Sequence, residues 1–268
     1  MSVKVGFIGT GNMGGALLRG IARGNTGNKY ELFAYDINRD ALDQLARDTG
    51  LKPCGSNVEL VIASDLVFLA VKPRYAKAVL EEIRDALGSK ILVSIVVGLP
   101  ISWYKGILGE QARVVRTMPN TPALVGEGMT LVCFDGTQSS QEKQSIMELF
   151  GYSGKAEELE EGLMSEVTAL TGSSPAYVFM FIEAMADAAV QSGIPRDKAY
   201  RLAAQAVLGS AKMVLETGKH PGELKDMVCS PAGTTIEAVA ELEKAGFRSA
   251  IIRAMGGCTR KAREIGKQ

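Results

Sequence analysis

The sequence has very little of what metal-dependent or acid–base catalysis usually requires. Of its 268 residues only His220 is a histidine, so a multi-histidine metal centre is excluded and a serine-type triad has one candidate base. The cysteines are few and far apart, which indicates reduced thiols and neither a disulfide framework nor a metal site. They are Cys54, Cys133, Cys229 and Cys258. We therefore expect any catalysis to depend on an organic cofactor and on no metal.

The chain also lacks an excess of charge and a long apolar run. It has 30 Lys and Arg residues against 30 Asp and Glu residues, which argues against nucleic-acid binding and against an acidic disordered tail. No apolar run reaches the ~20 residues of a membrane span, so no membrane association is expected. The N-terminal residues show no charged-then-apolar signal pattern, and we expect a cytoplasmic protein.

The first half of the chain, residues 1–155, alternates short apolar runs with amphipathic stretches. Near-continuous apolar strands alternating with helices are typical of a mainly parallel sheet covered on both faces. The predicted strands are Val3–Ile8, Leu32–Tyr35, Leu66–Val71, Ile91–Val97, Val114–Met118 and Thr130–Phe134. Helical patterns lie between most of them, so the fold class of this half is α/β.

A glycine-rich loop follows the first predicted strand and precedes a helical pattern. Gly9, Gly11 and Gly14 form GxGxxG, which in this context provides a tight turn, a close approach for a pyrophosphate and close helix–strand packing. Asp36 ends the second strand, 22 residues after Gly14, where an acidic residue usually holds the adenosine ribose. Residues 1–158 are therefore predicted to form a Rossmann-type dinucleotide-binding domain. The alternative is a glycine-rich turn with no ligand.

The second half, residues 159–268, is predicted to be an all-helical domain. Residues 175–192 form a helix that is apolar nearly all round, and such a helix should be buried. A second long helix opens at Pro195 and ends near Glu216, and two more follow at 235–245 and 247–264. A domain this small cannot bury the apolar helix alone, so the predicted partner is a second copy of the chain.

Several polar segments leave a structural and a functional interpretation open. Lys72 is predicted at the carboxyl end of a strand, where ligands of doubly wound sheets bind, but it can equally be a solvated lysine in a turn. The prolines of 118–122 predict a rigid loop. The loop at 170–177 can cap the apolar helix through Ser173 or Ser174. His220 is expected to have a structural or surface role.

The segment 225–237 has the same ambiguity. Thr234 and Glu237 fit a capping box, while the amides of the same helix start can hold a carboxylate. Capping by one hydroxyl does not explain why Ser230, Gly233, Thr234 and Thr235 are crowded together.

Five segments resemble those of the pyrroline-5-carboxylate reductase family, over nearly the whole chain. They are GFIGTGNMG at 6–14, AVKP at 70–73, MPNTPALVGEGMT at 118–130, TGSSPAYVFMFIEAMADAA at 171–189 and HPGELKDMVCSPAGTTIEAV at 220–239. The last two are the most specific, because other NAD(P) enzymes share only the glycine-rich loop. The resemblance implies reduction of 1-pyrroline-5-carboxylate to L-proline with NADPH or NADH, the last step of proline biosynthesis.

The resemblance also implies which residues form the site. The cofactor-binding set comprises Gly9, Thr10, Gly11, Asn12, Met13, Asp36, Asn38, Asn57, Val71, Lys72, Pro73 and Val97. The substrate-binding set comprises Glu161, Ser230, Gly233, Thr234 and Thr235. Thr235 matches the hydroxyl that faces the ring nitrogen, and Thr235 and Lys72 are the predicted catalytic residues. A protonated imine is already electrophilic, so the protein chiefly has to orient two molecules.

For the choice of cofactor, the local residues and the resemblance point in different directions. Asp36 favours NADH because its carboxylate can accept hydrogen bonds from the ribose hydroxyls, whereas Arg39 can pair with a 2′-phosphate and the family tends towards NADPH. We therefore expect both cofactors to work. The resemblance implies a homodimer built by the helical domain, with dimers gathered into a ring, commonly a decamer.

Two alternative functions differ in class from this one: a β-hydroxyacid dehydrogenase and a non-catalytic dinucleotide sensor. The first is disfavoured because residues 168–192 contain no lysine.

Overall fold

A computed structural model describes residues 2–265 of the chain. The chain divides into two compact units, one formed by Met1–Gly172 with Thr259–Gln268 and the other by Ser173–Cys258. The predicted domain boundary after residue 158 thus lies 14 residues before the end of the first segment, and it stays a prediction. Over the described residues, no helix combines the length and the apolar character that crossing a membrane requires.

The first unit is built on one sheet, which has eight strands among the residues that the structure describes. They are Val3–Ile8, Tyr30–Tyr35, Lys52–Pro53, Leu66–Leu69, Ile91–Ser94, Arg113–Met118, Gly128–Phe134 and Gly154–Glu158, numbered β1 to β8. Their order is β3-β2-β1-β4-β5-β6-β7-β8. All neighbours are parallel except β6 and β7, so the predicted mainly parallel sheet is confirmed. The sequence pattern did not predict β3 or β8.

Seven helices of the first unit lie in the described region. They are Asn12–Gly24, Arg39–Thr49, Asn57–Ala63, Pro73–Leu87, Ile101–Leu108, Ser140–Gly151 and Met164–Val167, numbered α1 to α7. Short 3-10 helices cover Thr121–Val125 and Glu161–Leu163, and one turn of π-helix covers Thr168–Gly172. Side-chain oxygens of Asn38, Ser56 and Ser139 cap α2, α3 and α6, which explains where these helices begin.

Two apolar layers cover the sheet, one on each face. In β4, Leu66 and Phe68 belong to one layer while Val67 and Leu69 belong to the other, because successive residues of a strand point to opposite faces. Helices α1, α2 and α6 complete the first layer, and α3, α4 and α5 complete the second. A strand buried on both faces, such as β4, is therefore a nearly continuous apolar run, which is why it was visible in the sequence.

The second unit is helical, as predicted. Its helices are Ser174–Gln191, Arg196–Thr217, Pro221–Val228 and Thr234–Lys244, numbered α8 to α11, and α12, Phe247–Ile265, contributes residues to both units. Helix α8 was expected to be buried, but within the single chain only Ala186 of this helix is. Phe179 is 63% exposed and Met180 69%. The burial that its composition requires must therefore come from outside this chain.

Acid should weaken the first unit through Glu142, which lies in the first turn of α6. The Arg113 guanidinium, 2.6 Å away, lowers the pKa of this carboxyl from 4.5 to about 2. A lowered folded-state pKa adds stability above the unfolded value, and that stability is lost as the pH falls from 4.5 towards 2. Glu142→Gln should therefore have a lower urea midpoint than the wild type at about pH 7. When the pH is lowered to about 3, the midpoint of the variant should fall less than that of the wild type. Glu157→Gln, at an exposed carboxylate of β8, is the control, and an unchanged acid dependence in Glu142→Gln would contradict the assignment.

Candidate functional site

The glycine-rich loop runs from the end of β1 to the start of α1, and two of its glycines are required by close backbone contacts. Gly9 has a φ of +96°, and a Cβ there would lie 2.7 Å from the Ala70 carbonyl oxygen. A Cβ on Gly14 would lie 2.4 Å from the carbonyl oxygen of Gly9. A Cβ on Gly11 would meet no atom within 4 Å. Gly9 and Gly14 thus let helix and strand approach each other closely, whereas Gly11 faces open space.

The start of α1 offers hydrogen-bond donors to that space. Gly11 is the N-cap of the helix and has no side chain to satisfy the first amides. The N–H groups of Asn12 and Met13 open the first turn, where no intrahelical acceptor is available. With the helix dipole, such donors favour a phosphate. An uncapped helix start beside a side-chain-free opening fits the pyrophosphate of a dinucleotide cofactor.

At the end of β2, the predicted ribose-side residues are held by the chain itself. Asp36 accepts hydrogen bonds from the N–H of Thr10 at 2.6 Å and from the N–H of Asn38 at 2.8 Å. Asn38 also caps α2 through its side-chain oxygen. Arg39 donates to the carbonyl oxygens of Cys54 and Gly55 at 2.8 Å and 2.7 Å. The structure thus brings Thr10, Asp36 and Asn38 together and fixes Arg39 beside them.

Asn57, the other predicted ribose contact, opens α3 and is buried. Its Nδ2 donates to Oε2 of Glu82 at 2.8 Å. Because a carboxylate only accepts, this bond fixes the orientation of the amide. The Oδ1 atom of Asn57 has no partner within the described residues. Glu82, which stands 25 residues further along the chain, was not among the predicted site residues.

The nicotinamide-side residues lie on loops that follow β4 and β5. Both strands end earlier than predicted, at Leu69 and Ser94. Val71 and Lys72 therefore belong to the turn before α4, and Val97 lies in the loop after β5. Lys72 is the N-cap of α4 and is exposed, with Pro73 as the first helical residue. Proline at this position explains the sharp start of the helix.

Glu161 binds two elements of the first unit. Its Oε1 accepts from the N–H of Ile101 at 2.6 Å and from Nη1 of Arg116 at 3.2 Å. Arg116 lies in the middle of β6, and its side chain is 11% exposed. A buried charge in a strand requires a partner of opposite sign. An arginine inside an otherwise mainly apolar strand is the sequence signal for this pair, which was not among the predictions.

A cavity of about 490 Å³ adjoins Glu161 and extends along α5 to the ends of β7 and β8. Its charged lining includes Lys105 and Asp135, which form an ion pair at 3.0 Å. None of the predicted cofactor-binding residues lines this cavity. The assignment of the cofactor therefore depends on the loop geometry at β1, β2 and β4.

The rigid loop predicted at residues 118–122 contains a 3-10 helix and one buried amide, Asn120. Its Nδ2 donates to the carbonyl oxygen of Thr171 at 3.0 Å, and its Oδ1 accepts from the N–H of Met129 at 2.8 Å. Both ends of the amide are thus used inside the first unit. The loop is scaffold, and Asn120 connects it to the segment that precedes α8.

In the second unit, the predicted capping box at the start of α11 is wrong. The N-cap is Gly233, which has no side-chain oxygen, and Thr234 is already the first helical residue. The preceding residues form a tight turn in which the N–H of Gly233 donates to the carbonyl oxygen of Ser230 at 3.0 Å. Ala232, inside the turn, has a φ of +55°. The chain therefore leaves the first amides of α11 without a side-chain cap.

Ser173 does not provide the cap of α8 that was one of the two predicted possibilities. Ser173 is the N-cap residue but makes no capping bond, and its hydroxyl instead lies 3.2 Å from the thiol of Cys258. His220 has the structural role that was predicted, because its Nδ1 accepts from the N–H of Gly222 at 3.1 Å and caps α10. The four cysteines are free thiols, as expected.

We expect Gly14→Ala and Gly11→Ala to fail in different ways. The methyl group of Gly14→Ala would collide with backbone, so this variant should lose thermal stability and cofactor binding together. The methyl group of Gly11→Ala enters open space, so apo stability should stay unchanged while cofactor affinity falls about tenfold or more. Thermal melts and dinucleotide titrations of both variants check this. Equal losses of stability would contradict the assignment of the opening.

Comparison with known proteins identifies the family. Residues 161–265 match the family model of pyrroline-5-carboxylate reductase dimerisation, and residues 4–98 match that of coenzyme F420-dependent NADP oxidoreductases. The pyrroline-5-carboxylate reductase of Escherichia coli (strain K12) is 46% identical over 268 residues, 100% of each chain. The chain belongs to the pyrroline-5-carboxylate reductase family. The resemblance noted from five sequence segments is thereby confirmed.

Two solved structures have the same fold over the full length. The pyrroline-5-carboxylate reductase of Coxiella burnetii matches with a TM-score of 0.93 and 32% identity, covering 100% of both chains. The pyrroline carboxylate reductase of Plasmodium falciparum, solved with NADP bound, matches with a TM-score of 0.88 and 36% identity, covering 98% of each. The predicted fold class is confirmed, with an α/β dinucleotide-binding domain followed by a helical dimerisation domain. So is the enzyme class, an oxidoreductase that uses a nicotinamide dinucleotide.

Proposed function

We propose that this chain reduces 1-pyrroline-5-carboxylate to L-proline with NADPH or NADH, the last step of proline biosynthesis. The family relationship over the whole length supports the reaction. The observation that carries the proposal is the uncapped start of α11, where Thr234 and Thr235 leave amides and a hydroxyl for an anionic ligand. A sensor that used this segment only as a cap would have no need of that arrangement.

The chain's own groups hold the cofactor in this proposal. The amides at the start of α1 bind the pyrophosphate, and the opening at Gly11 admits it. Asp36, Asn38, Arg39 and Asn57 surround the adenosine ribose. Val71, Lys72, Pro73 and Val97 lie beside the nicotinamide, which supplies a hydride when bound. Thr10, whose N–H is already donated to Asp36, contributes through the shape of the loop.

The substrate side requires an anchor for a carboxylate and a partner for a ring nitrogen. The N–H groups of Thr234 and Thr235 bind the carboxylate at the positive end of the α11 dipole. The Thr235 hydroxyl, which makes no hydrogen bond within residues 2–265, holds the ring nitrogen. The hydride adds to the carbon of the protonated imine, and the nitrogen keeps its proton as the C=N double bond becomes single. Ser230, Gly233 and Glu161 complete the proposed substrate set.

The assembly is part of the proposal. The family's dimerisation model covers α8 to α12, and we propose a homodimer formed through these helices. Gathering of dimers into a decamer is also proposed, as is a cytoplasmic location.

Loss of reduced-nicotinamide absorbance on addition of 1-pyrroline-5-carboxylate tests the function directly. We expect oxidation of both NADPH and NADH coupled to formation of L-proline. Oxidation of NADPH or NADH by the β-keto acid that corresponds to a β-hydroxyacid, but not by the imine, would favour the dehydrogenase alternative. Dinucleotide binding with no oxidation by either substrate would favour the sensor.

A further inference from the structure

Both oxygens of the Asp36 carboxylate are bound inside the chain. Oδ2 accepts from the main-chain N–H of Thr10 at 2.6 Å and from its hydroxyl at 3.1 Å. Oδ1 accepts from the N–H of Asn38 at 2.8 Å. Asp36 is half-buried, so water only partly screens these interactions. Both oxygens of this carboxylate are thus bound by the chain, one of them by the glycine-rich loop.

The bonds to Thr10 extend a connection that begins one residue earlier. The N–H of Gly9 donates to the carbonyl oxygen of Tyr35 at 2.8 Å. The first two residues of the loop are therefore tied to Tyr35, the last residue of β2, and to Asp36, which follows it. A hydrogen bond to a charged acceptor is about twice as strong as a neutral one, so the Thr10 bonds are the stronger part of this connection.

A local turn accounts for only one of the two carboxylate oxygens. Acceptance from the N–H two residues on, at Asn38, is the ordinary behaviour of an aspartate in a turn. Thr10 is 26 residues away in sequence and binds the other oxygen. A serine or threonine at position 36 offers one hydroxyl oxygen in place of the two oxygens that bind Thr10 and Asn38. The second bond therefore depends on the second oxygen of a carboxylate.

The ribose contact proposed for Asp36 is compatible with this arrangement. An ionised carboxylate has about four lone-pair sites, and Thr10 and Asn38 use three of them. One site remains for a ribose hydroxyl. The carboxylate can thus hold the loop and contact the cofactor at the same time.

We infer that Asp36 is a positioning residue for the phosphate-binding loop, acting through Thr10. The inference rests on the proposed cofactor use and goes beyond it. Loss of the carboxylate must then weaken the binding of every ligand that carries the pyrophosphate, whether or not that ligand has ribose hydroxyls. If the role of Asp36 were limited to the ribose, loss of its carboxylate would weaken the binding only of ligands that have those hydroxyls.

The diphosphate of 2′,3′-dideoxyadenosine separates these two roles, because it keeps the diphosphate and lacks both hydroxyls. We would titrate the full-length protein with NADH, ADP and dideoxy-ADP by calorimetry. Asp36→Ala should lower the affinity for dideoxy-ADP about tenfold. Thr10→Val, which keeps the main-chain N–H, should lower this affinity less. Asp40→Ala, at an exposed carboxylate of α2, should leave all three affinities within about twofold, as expected for a surface charge. Amide exchange of Gly11 and Asn12 in the ligand-free protein should also be faster in Asp36→Ala.

Dideoxy-ADP affinity that is unchanged in Asp36→Ala while NADH affinity falls would overturn the inference. If the wild-type protein binds none of the three ligands, the proposed cofactor site itself fails, and the two failures are distinguished. Should Asp36→Ala not fold, as judged by circular dichroism, Asp36→Asn permits the same comparison. Its single carbonyl oxygen can replace only one carboxylate oxygen, so dideoxy-ADP should again bind more weakly, and unchanged binding would again contradict the positioning role.

Discussion

Thr235→Val is expected to lower turnover on the order of 10–1000-fold while leaving cofactor affinity unchanged. Valine has nearly the same shape as threonine, but it lacks the hydroxyl that is proposed to hold the ring nitrogen. The main-chain N–H of residue 235 stays in place, so the carboxylate anchor at the start of α11 should survive. The loss should therefore appear in kcat more than in the KM of the substrate. Steady-state kinetics and a dinucleotide titration measure the two effects separately.

Thr235→Ser is the matched control, since it restores a hydroxyl at the same position. It should recover most of the turnover that Thr235→Val loses. Unchanged kinetics in a correctly folded Thr235→Val protein would remove this residue from the mechanism. A parallel fall in cofactor affinity would instead indicate damage that extends beyond the hydroxyl.

The second large effect is expected on the exposed face of α8, where Met180→Asp should convert dimers to monomers. In the single chain Met180 is 69% exposed, and the proposed homodimer would bury this apolar helix against its partner. A twofold interface places the change on both sides, so two unpaired carboxylates are buried at once. The dimer dissociation constant should rise roughly 100-fold or more. Sedimentation at micromolar protein gives the mass directly.

Gln191→Asp provides the control on the same helix, because Gln191 belongs to the polar stripe formed with Glu183 and Asp187. It adds the same charge and should leave the dimer intact. A wild-type protein that is monomeric and fully active at micromolar concentration would contradict the obligate dimer. A Met180→Asp protein that stays dimeric would show that this part of α8 lies outside the interface.

The strands that the sequence predicted lie in the interior of the sheet order. The runs that became β4 and β5 are almost wholly apolar because helices cover each side of them. The strands that were not predicted stand at the two ends of the sheet order. Lys52–Pro53 is only two residues long, and Gly154–Glu158 alternates charge with small residues. Edge strands need little apolar surface, so hydrophobicity carries no signal for them.

The candidate site likewise has a part that the sequence predicted and a part that it did not. The glycine-rich loop was predictable because its function depends on local backbone geometry, which a short pattern encodes. The partners of the polar side chains were not, because they come from distant parts of the chain. Asp36 binds Thr10, and Glu161 binds Arg116, 45 residues away. A single sequence shows that such a group needs a partner but does not show which one.

The capping box at α11 failed for a different reason. Its pattern of threonine followed by glutamate three residues later is present, but the helix begins one residue too early to use it. The tight turn closed between Ser230 and Gly233 fixes that start. Ala232 adopts a left-handed φ there, at a cost of roughly 1–2 kcal/mol. A non-glycine residue with this conformation could not be foreseen from propensity.

The short and charged edges of the sheet also bear on how the protein is made in a cell. A newly synthesised chain presents two surfaces that could attract other chains, namely the ends of the sheet and the apolar face of α8. Pro53 at one edge and the charges of Gly154–Glu158 at the other discourage strand addition. The helical face has no such protection until a second chain covers it. Losses during synthesis should therefore occur through helix association, and they should compete with dimer assembly for the same pool of folded monomers.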